Sequence, residues 1–172
     1  MQRVNWQANK RRSWLFLTIA VLVVAIDQIS KLWVRANLTV GESLPETGLW
    51  RLTYLQNTGS AFGLLANQAF LLTLIGLVGL FVILLSYRYF SPMTVLGSSA
   101  LGLIFGGAVG NLIDRFCFGY VTDFIDICLW HDFHWPAFNL ADSAITIGTL
   151  AFVYFLTTLI KKQNGHGSGT RN

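Results

Sequence analysis

Four stretches of the chain are nearly free of charge and long enough to cross a lipid bilayer: 14–34, 69–87, 93–113 and 141–160. At a rise of about 1.5 Å per residue, about 20 apolar residues cover a hydrocarbon core about 30 Å thick. The first stretch is uncharged as far as Ile26 and then carries Asp27 and Lys31. The second and third hold no charge, and the fourth holds only Asp142, in its first turn. Hydrophobicity runs continuously through each window rather than alternating, which predicts helices and not the strands of a membrane barrel. Between the windows lie two long polar connections, 35–68 and 114–140, and one very short one, 88–92. With four crossings, the two long connections share one side, and both termini and the short connection share the other.

Composition agrees with this pattern. Of 172 residues, 53% are hydrophobic and 12% charged, about half the charge of an ordinary soluble domain, and the mean hydropathy is +0.54. Disorder is excluded by the apolar content, and a disulfide-built scaffold by the presence of only two cysteines. The net charge of +4 matters less than its distribution. Arg3, Lys10, Arg11, Arg12, Arg88, Lys161, Lys162 and Arg171 lie on the side of the termini, with no acid among them. Lys31, Arg35, Arg51 and Arg115 lie on the other side with all eight acids. The positive-inside rule therefore predicts cytoplasmic termini and outward long loops. The expected fold is an all-α membrane protein of four transmembrane helices with a small outward-facing β-cradle or loop region. Its parts are a cytoplasmic N-terminus at 1–13, a single membrane domain at 14–160 and a flexible cytoplasmic tail at 161–172. Lys10-Arg11-Arg12 before an apolar run resembles a secretory leader, but no small-residue cleavage site closes the run, so an uncleaved first helix is expected.

In the first long loop, Leu49-Trp50-Arg51-Leu52-Thr53-Tyr54-Leu55 mixes β-formers with partial alternation, and Asn57-Thr58-Gly59-Ser60 follows as a turn. This predicts a short strand or hairpin resting on the membrane. Tryptophans 33, 50, 130 and 135 suit an interfacial belt. The third span carries Gly102, Gly106 and Gly110 four apart, with Gly107 beside them, a spacing that lets helices approach closely.

Ionisable groups in or near a bilayer are costly and mark function. Asp27 and Lys31 are spaced for an intrahelical ion pair. Asn111 shares a helix face with Asp114 and Arg115 at the end of the third span. Asn139 and Asp142, three apart after Pro136, read as a capping box opening the fourth helix. Val121-Thr122-Asp123-Phe124-Ile125-Asp126-Ile127 places two acids inside an apolar run, and the pattern alone chooses neither strand nor helix, nor which acid matters. His131, Asp132 and His134 lack the further ligands of a metal site. Cys117 and Cys128 could form a bridge or remain thiols. The inventory offers no serine–histidine nucleophile, but it does supply carboxylates. Two carboxylates about 4 Å apart repel by roughly 4 kcal/mol at an effective dielectric of about 20, so one of such a pair keeps a proton while the other is ionised. That arrangement activates water and protonates a leaving amine. A proton-coupled transporter or channel subunit would also use buried acids, although spans two to four carry no charge midway. The Gly-x-Gly-Asp pattern of presenilin-type and prepilin-type aspartyl proteases is absent, and a non-catalytic assembly factor has no need of clustered Asn, Asp and Arg.

Five segments in order resemble the lipoprotein signal peptidases, the signal peptidase II family. They are Asp27-Gln28-Ile29-Ser30-Lys31, Asn57-Thr58-Gly59-Ser60-Ala61-Phe62-Gly63, the run from Gly106-Gly107 through Gly110-Asn111 to Asp114-Arg115, Val121-Thr122-Asp123-Phe124, and Phe138-Asn139-Leu140-Ala141-Asp142-Ser143. The resemblance covers nearly all of 14–160. It implies an aspartyl endopeptidase of the bacterial cytoplasmic membrane, with its site at the outer face, that removes the signal peptide of prolipoproteins just before a diacylglyceryl-modified cysteine. It further implies Asp123 and Asp142 as the catalytic pair. Asp27, Lys31, Asn57, Gly107, Asn111, Asp114, Arg115 and Asn139 would bind substrate or support the site. No cofactor, metal or nucleic acid is expected. Membrane lipids and cyclic peptide inhibitors of the globomycin type are expected partners, and a monomer is the simplest state. The resemblance gives no role to Asp126 or to the aromatic stretch 130–135.

Overall fold

The computed structural model describes residues 6–59, 68–89, 94–130 and 133–167. Arg3, Arg171, most of the short connection, Ser60 to Gly63 of the second motif, His131 and Asp132 lie outside the described residues. The elements are α1 (Trp6–Asn37), β1 (Ser43–Leu44), β2 (Trp50–Asn57), α2 (Ala69–Tyr89), α3 (Val95–Phe118), β3 (Val121–Trp130), β4 (Phe133–Phe138) and α4 (Leu140–Gly167). All four helices are long and apolar enough to cross a membrane. Each continues past the C-terminal end of its apolar window, because helical backbone hydrogen bonding does not require apolar side chains; α3 starts at Val95, two residues inside its window, and α4 runs on to Gly167.

Helix α3 is the hub. It packs on α1, α4 and α2 and is the most buried of the four. The others turn large apolar side chains outward, among them Leu22, Ile26 and Ile29 on α1, Phe70, Val78 and Phe81 on α2, and Leu150 and Tyr154 on α4. In water such a surface would be untenable, but against lipid tails it costs nothing. Phe16, Leu101 and Phe155 form the core between α1, α3 and α4 at one end of the bundle.

The stripe of small residues explains why α3 can sit so close to two helices. A side chain on Gly106 would meet the Ala20 carbonyl oxygen of α1 at 2.7 Å, and one on Gly107 would run into the Ala141 carbonyl oxygen of α4. Both obstacles are backbone, so neither can yield without moving a helix. Gly107→Val should therefore push α4 away from α3. We expect a loss of about 1–3 kcal/mol in stability, read as a lower unfolding temperature in detergent. An unchanged melting curve would show that the helices are not in fact wedged at this glycine.

At the other end of the bundle the two long connections form one four-stranded antiparallel sheet in the order β1-β2-β3-β4. This is more β structure than the short hairpin the sequence predicts, because the central pairing joins β2 to β3 across more than 60 residues, and no local pattern reveals it. The segment 121–127, ambiguous in sequence, is strand. Gly119 ends α3 in the left-handed region (φ 77°), its N–H donating to the Arg115 carbonyl at 3.0 Å, and so turns the chain into β3. Val34 of α1 and Leu38 just beyond its end pack with Tyr54 and Phe124 to seat the sheet on the helix ends. Cys117 and Cys128 are thiols, not the halves of a bridge.

Candidate active site

Two irregularities in the sheet build the site. Leu52 pairs with Ile125, but the next partners are Leu55 and Asp123. Two residues of β2, Thr53 and Tyr54, therefore oppose the single Phe124 of β3. Because side chains alternate along a strand, this bulge switches the facing of everything beyond it. It brings Leu55 and Asn57 onto the face of Asp123, and the Asn57 Nδ2 donates to Asp123 Oδ2 at 2.8 Å. The Asn57 Oδ1 accepts from the Gly59 N–H at 2.9 Å, which fixes the amide's orientation.

Asp142 reaches the same place from the head of α4. The Asn139 Oδ1 accepts from the Asp142 N–H at 2.9 Å, and the Asp142 Oδ2 accepts from the Asn139 N–H at 3.2 Å. This is the reciprocal cap that the three-residue spacing predicts. The cap has a second use. The Asn139 Nδ2 donates to Asp123 Oδ1 at 2.8 Å and to Asn111 Oδ1 at 3.2 Å, while the Asn111 Nδ2 donates to Asp142 Oδ1 at 2.8 Å. Each oxygen of each aspartate thus has an N–H donor, and Asn139 holds both residues at once.

Behind this layer lies a buried ionic cluster. Lys31 Nζ contacts Asp27 Oδ2 at 2.8 Å, Asp114 Oδ2 at 3.4 Å and Asn111 Oδ1 at 2.9 Å, and Asp27, Lys31 and Asp114 are all fully buried. The Asp27 Oδ1 accepts the Ala141 N–H of α4 at 3.0 Å, satisfying a donor that the first helical turn leaves free. Asp114 accepts the Thr122 N–H at 2.8 Å, pinning the start of β3. Gln28 and Arg35 complete the shell around Asp114. Asp114 therefore parts from Asn111 and Arg115, with which it shares a helix: those two line a cleft, while Asp114 sits behind it.

The cleft has a volume of about 670 Å³, within the range of small-ligand sites. Asp123, Asp142, Asn57, Asn111 and Arg115 form its polar floor. Trp135 to Phe138 of β4 and Ile145 and Ile147 of α4 form largely apolar walls. Arg115 interacts electrostatically with Asp142, Asp123 and Asp114, and its NH2 reaches the Gly59 carbonyl at 3.5 Å. Asp123 is 3% exposed. Burial, and then the charge of Asp142, push its carboxyl up to about 7, against the opposing hydrogen bonds of Asn57 and Asn139. Asp126 goes the other way. Burial would raise it, but hydrogen bonds from His134 and Arg51 outweigh that and hold it below the usual carboxylate range. No group of three potential metal ligands occurs among the described residues.

The structure thus brings Asp123, Asp142, Asn57, Asn111, Arg115 and Asn139 into one site, places Gly107 at the helix contact beneath it, and sets Asp27, Lys31 and Asp114 behind it. The β4 wall escaped the sequence reading, since a tryptophan-rich loop reads equally well as interfacial anchoring.

A family model described as signal peptidase (SPase) II matches residues 19–158. The chain is 46% identical over 142 residues to the lipoprotein signal peptidase of Moorella thermoacetica, covering 82% of this chain and 91% of that protein. It is 41% identical over 156 residues to that of Cupriavidus necator, covering 88% and 87%. Among solved structures, a bacterial membrane enzyme determined by the in meso method at 2.3 Å superposes with a TM-score of 0.74. That pair is 31% identical, and the match covers 83% of this chain and 87% of the other.

Proposed function

Because this chain belongs to the signal peptidase II family, a family of peptidases that act on prolipoproteins, we propose that it is an aspartic endopeptidase that cuts on the N-terminal side of a diacylglyceryl-modified cysteine. The observation that carries this reading is the shared seat of Asp123 and Asp142 in one cleft, bridged by Asn139. In the proposed mechanism the pair holds one proton, carried by Asp123. The Asp142 carboxylate takes a proton from a water molecule as the water oxygen bonds to the scissile carbonyl carbon. Asp123 gives its proton to the carbonyl oxygen. As the tetrahedral species collapses, Asp142 gives the proton it took from water to the nitrogen, the C–N bond breaks, and one hydroxyl of the tetrahedral carbon returns its proton to Asp123 as the C=O bond re-forms, restoring the singly protonated pair. No covalent enzyme intermediate and no cofactor is required. Asn57, Asn139 and Asn111 orient the aspartates, and Arg115 faces the substrate.

The same reading sets the protein in the bacterial cytoplasmic membrane, with both termini inside, where Lys10, Arg11, Arg12, Arg88, Lys161 and Lys162 gather. The sheet then lies at the outer face, beside the point where a signal helix ends and a lipidated cysteine begins. The apolar walls suit the acyl chains, and a cyclic peptide of the globomycin type would compete for them. A monomer suffices, since one chain supplies the whole cleft. The transporter reading has no support in the relatives, and the polar groups collect at one end of the helices.

The test uses purified protein in detergent with one prolipoprotein in two forms, diacylglyceryl-modified and unmodified. Cleavage of the modified form alone is the expected result. Equal cleavage of both would remove the lipid from the specificity, and cleavage of neither would overturn the proposal.

A further inference from the structure

The proposed hydrolysis leaves one buried charge cluster unused. Asp126 is 4% exposed and lies directly opposite Arg51 on the neighbouring strand, a favourable cross-strand pairing of opposite charges. Its Oδ2 accepts from Arg51 Nε at 2.8 Å and also from Arg51 NH2, a two-pronged contact that fixes geometry as well as charge. Thr53 Oγ1 donates to the same oxygen at 3.3 Å. On the other side Asp126 Oδ1 meets His134 Nδ1 at 2.8 Å, and Arg51 NH2 lies 3.1 Å from that nitrogen. Three side chains thus tie β2, β3 and β4 together.

The second sheet irregularity lies at the same level. Ile125 pairs with Phe138 and Ile127 with Trp135, so Pro136 and Ala137 together oppose Asp126. Pro136 has no N–H to give to the ladder, and the bulge weakens the pairing around it. This under-bonded stretch is the one that walls the cleft. His134, two residues before Pro136, is held by Asp126.

We infer that Arg51, Asp126 and His134 form a clamp that positions the β4 wall of the cleft, making them positioning residues for substrate binding and not for hydrolysis. The inference rests on the reading of the cleft as the prolipoprotein site. Among the described residues the clamp's hydrogen bonds and ion pairs go to one another, to Thr53 and to the Glu46 carbonyl, not to Asp123 or Asp142, so its loss should loosen the wall and leave the proton chemistry alone. In kinetic terms, KM rises while kcat holds.

The test is steady-state cleavage of the diacylglyceryl-modified prolipoprotein by the full chain in detergent. Wild type, Asp126→Asn, His134→Gln and the double variant are compared. Removing one charged partner should raise KM about tenfold with kcat within about twofold. The half-exposed His134→Gln should show a smaller rise in the same direction, and it carries the test alone if Asp126→Asn fails to fold. Because one device is broken twice, the double variant should be no worse than about the larger single effect. A fall in kcat at constant KM, wild-type kinetics in the variants, or KM effects that multiply would overturn the clamp. A wild type that cleaves nothing would instead overturn the hydrolysis reading, and the clamp's purpose with it.

Discussion

Replacing either Asp123 or Asp142 with asparagine is expected to cut turnover on lipidated substrate by about 10²- to 10⁴-fold, the scale on which positioned acids and bases act. The hydrogen bonds make the loss hard to evade. Both oxygens of Asp123 accept from amide N–H groups, of Asn57 and Asn139, and both oxygens of Asp142 accept from N–H donors, of Asn111 and the Asn139 backbone. An asparagine has only one acceptor oxygen, its other side-chain atom being an NH2 donor group, so that NH2 must face another N–H. The neighbouring amides cannot simply turn over, because Asn139 Oδ1 caps α4 and Asn57 Oδ1 holds the Gly59 N–H. Either variant therefore loses an acid or base of the pair and also a good seat. Melting curves in detergent separate the two effects. A folded Asn variant that kept more than about a tenth of wild-type turnover would dispose of the dyad.

A pH profile tests the same pair without mutation. Asp123 titrates near 7, raised first by burial and then by the charge of Asp142. A raised carboxyl keeps its proton below that pH and loses it above. The singly protonated pair is thus available below about pH 7, and kcat/KM should fall about tenfold for each pH unit well above it. A profile flat to pH 9 would remove the shared proton from the mechanism. Asp126 should contribute nothing to this limb, since His134 and Arg51 hold it ionised well below that range.

These expectations draw on features of very different legibility in the sequence. The spans could be read directly, because about 20 consecutive apolar residues leave few alternatives. So could the Asn139–Asp142 cap and the Asp27–Lys31 pair, since spacings of three and four mean the same thing on any helix. What joins those local devices was not legible. Lys31 meets Asn111 across 80 positions, and Asp27 meets the Ala141 N–H across 114. Asn57 faces Asp123 only because of a bulge at Thr53 and Tyr54, and alternation without the bulge would place it on the opposite face. The choice of Asp123 over Asp126 came from family resemblance, as both occupy the same apolar run. The structure supplies the physical difference: one carboxyl touches neutral amides at the cleft floor, the other is paired with Arg51 and His134.

The largest stability loss is expected for Lys31→Met. Lys31 is fully buried, and its three donors go to Asp27, Asp114 and Asn111, which exhausts an ammonium's capacity. Methionine fills similar space but leaves two buried carboxylates with no lysine between them. Breaking a buried ionic group in this way costs about 3–5 kcal/mol, far more than the Gly107 substitution. The damage should also travel. Asp27 holds the first turn of α4 through the Ala141 N–H, Asp114 holds β3 through the Thr122 N–H, and Asn111 orients Asp142. Loss of Lys31 therefore loosens both strands of support beneath the dyad, and activity should fall even at temperatures where the variant remains folded. Lys31→Arg should rescue little, because a planar fork has no room at a site with no exposure. The informative comparison is Asp27→Asn combined with Lys31→Met, which removes one charge of each sign. If the cost of Lys31→Met is an unpaired buried charge, the double variant should melt above the single one. If the two melt together, the lysine acts by shape alone, and a wild-type melting curve for Lys31→Met would mean that the cluster does not hold the site in place.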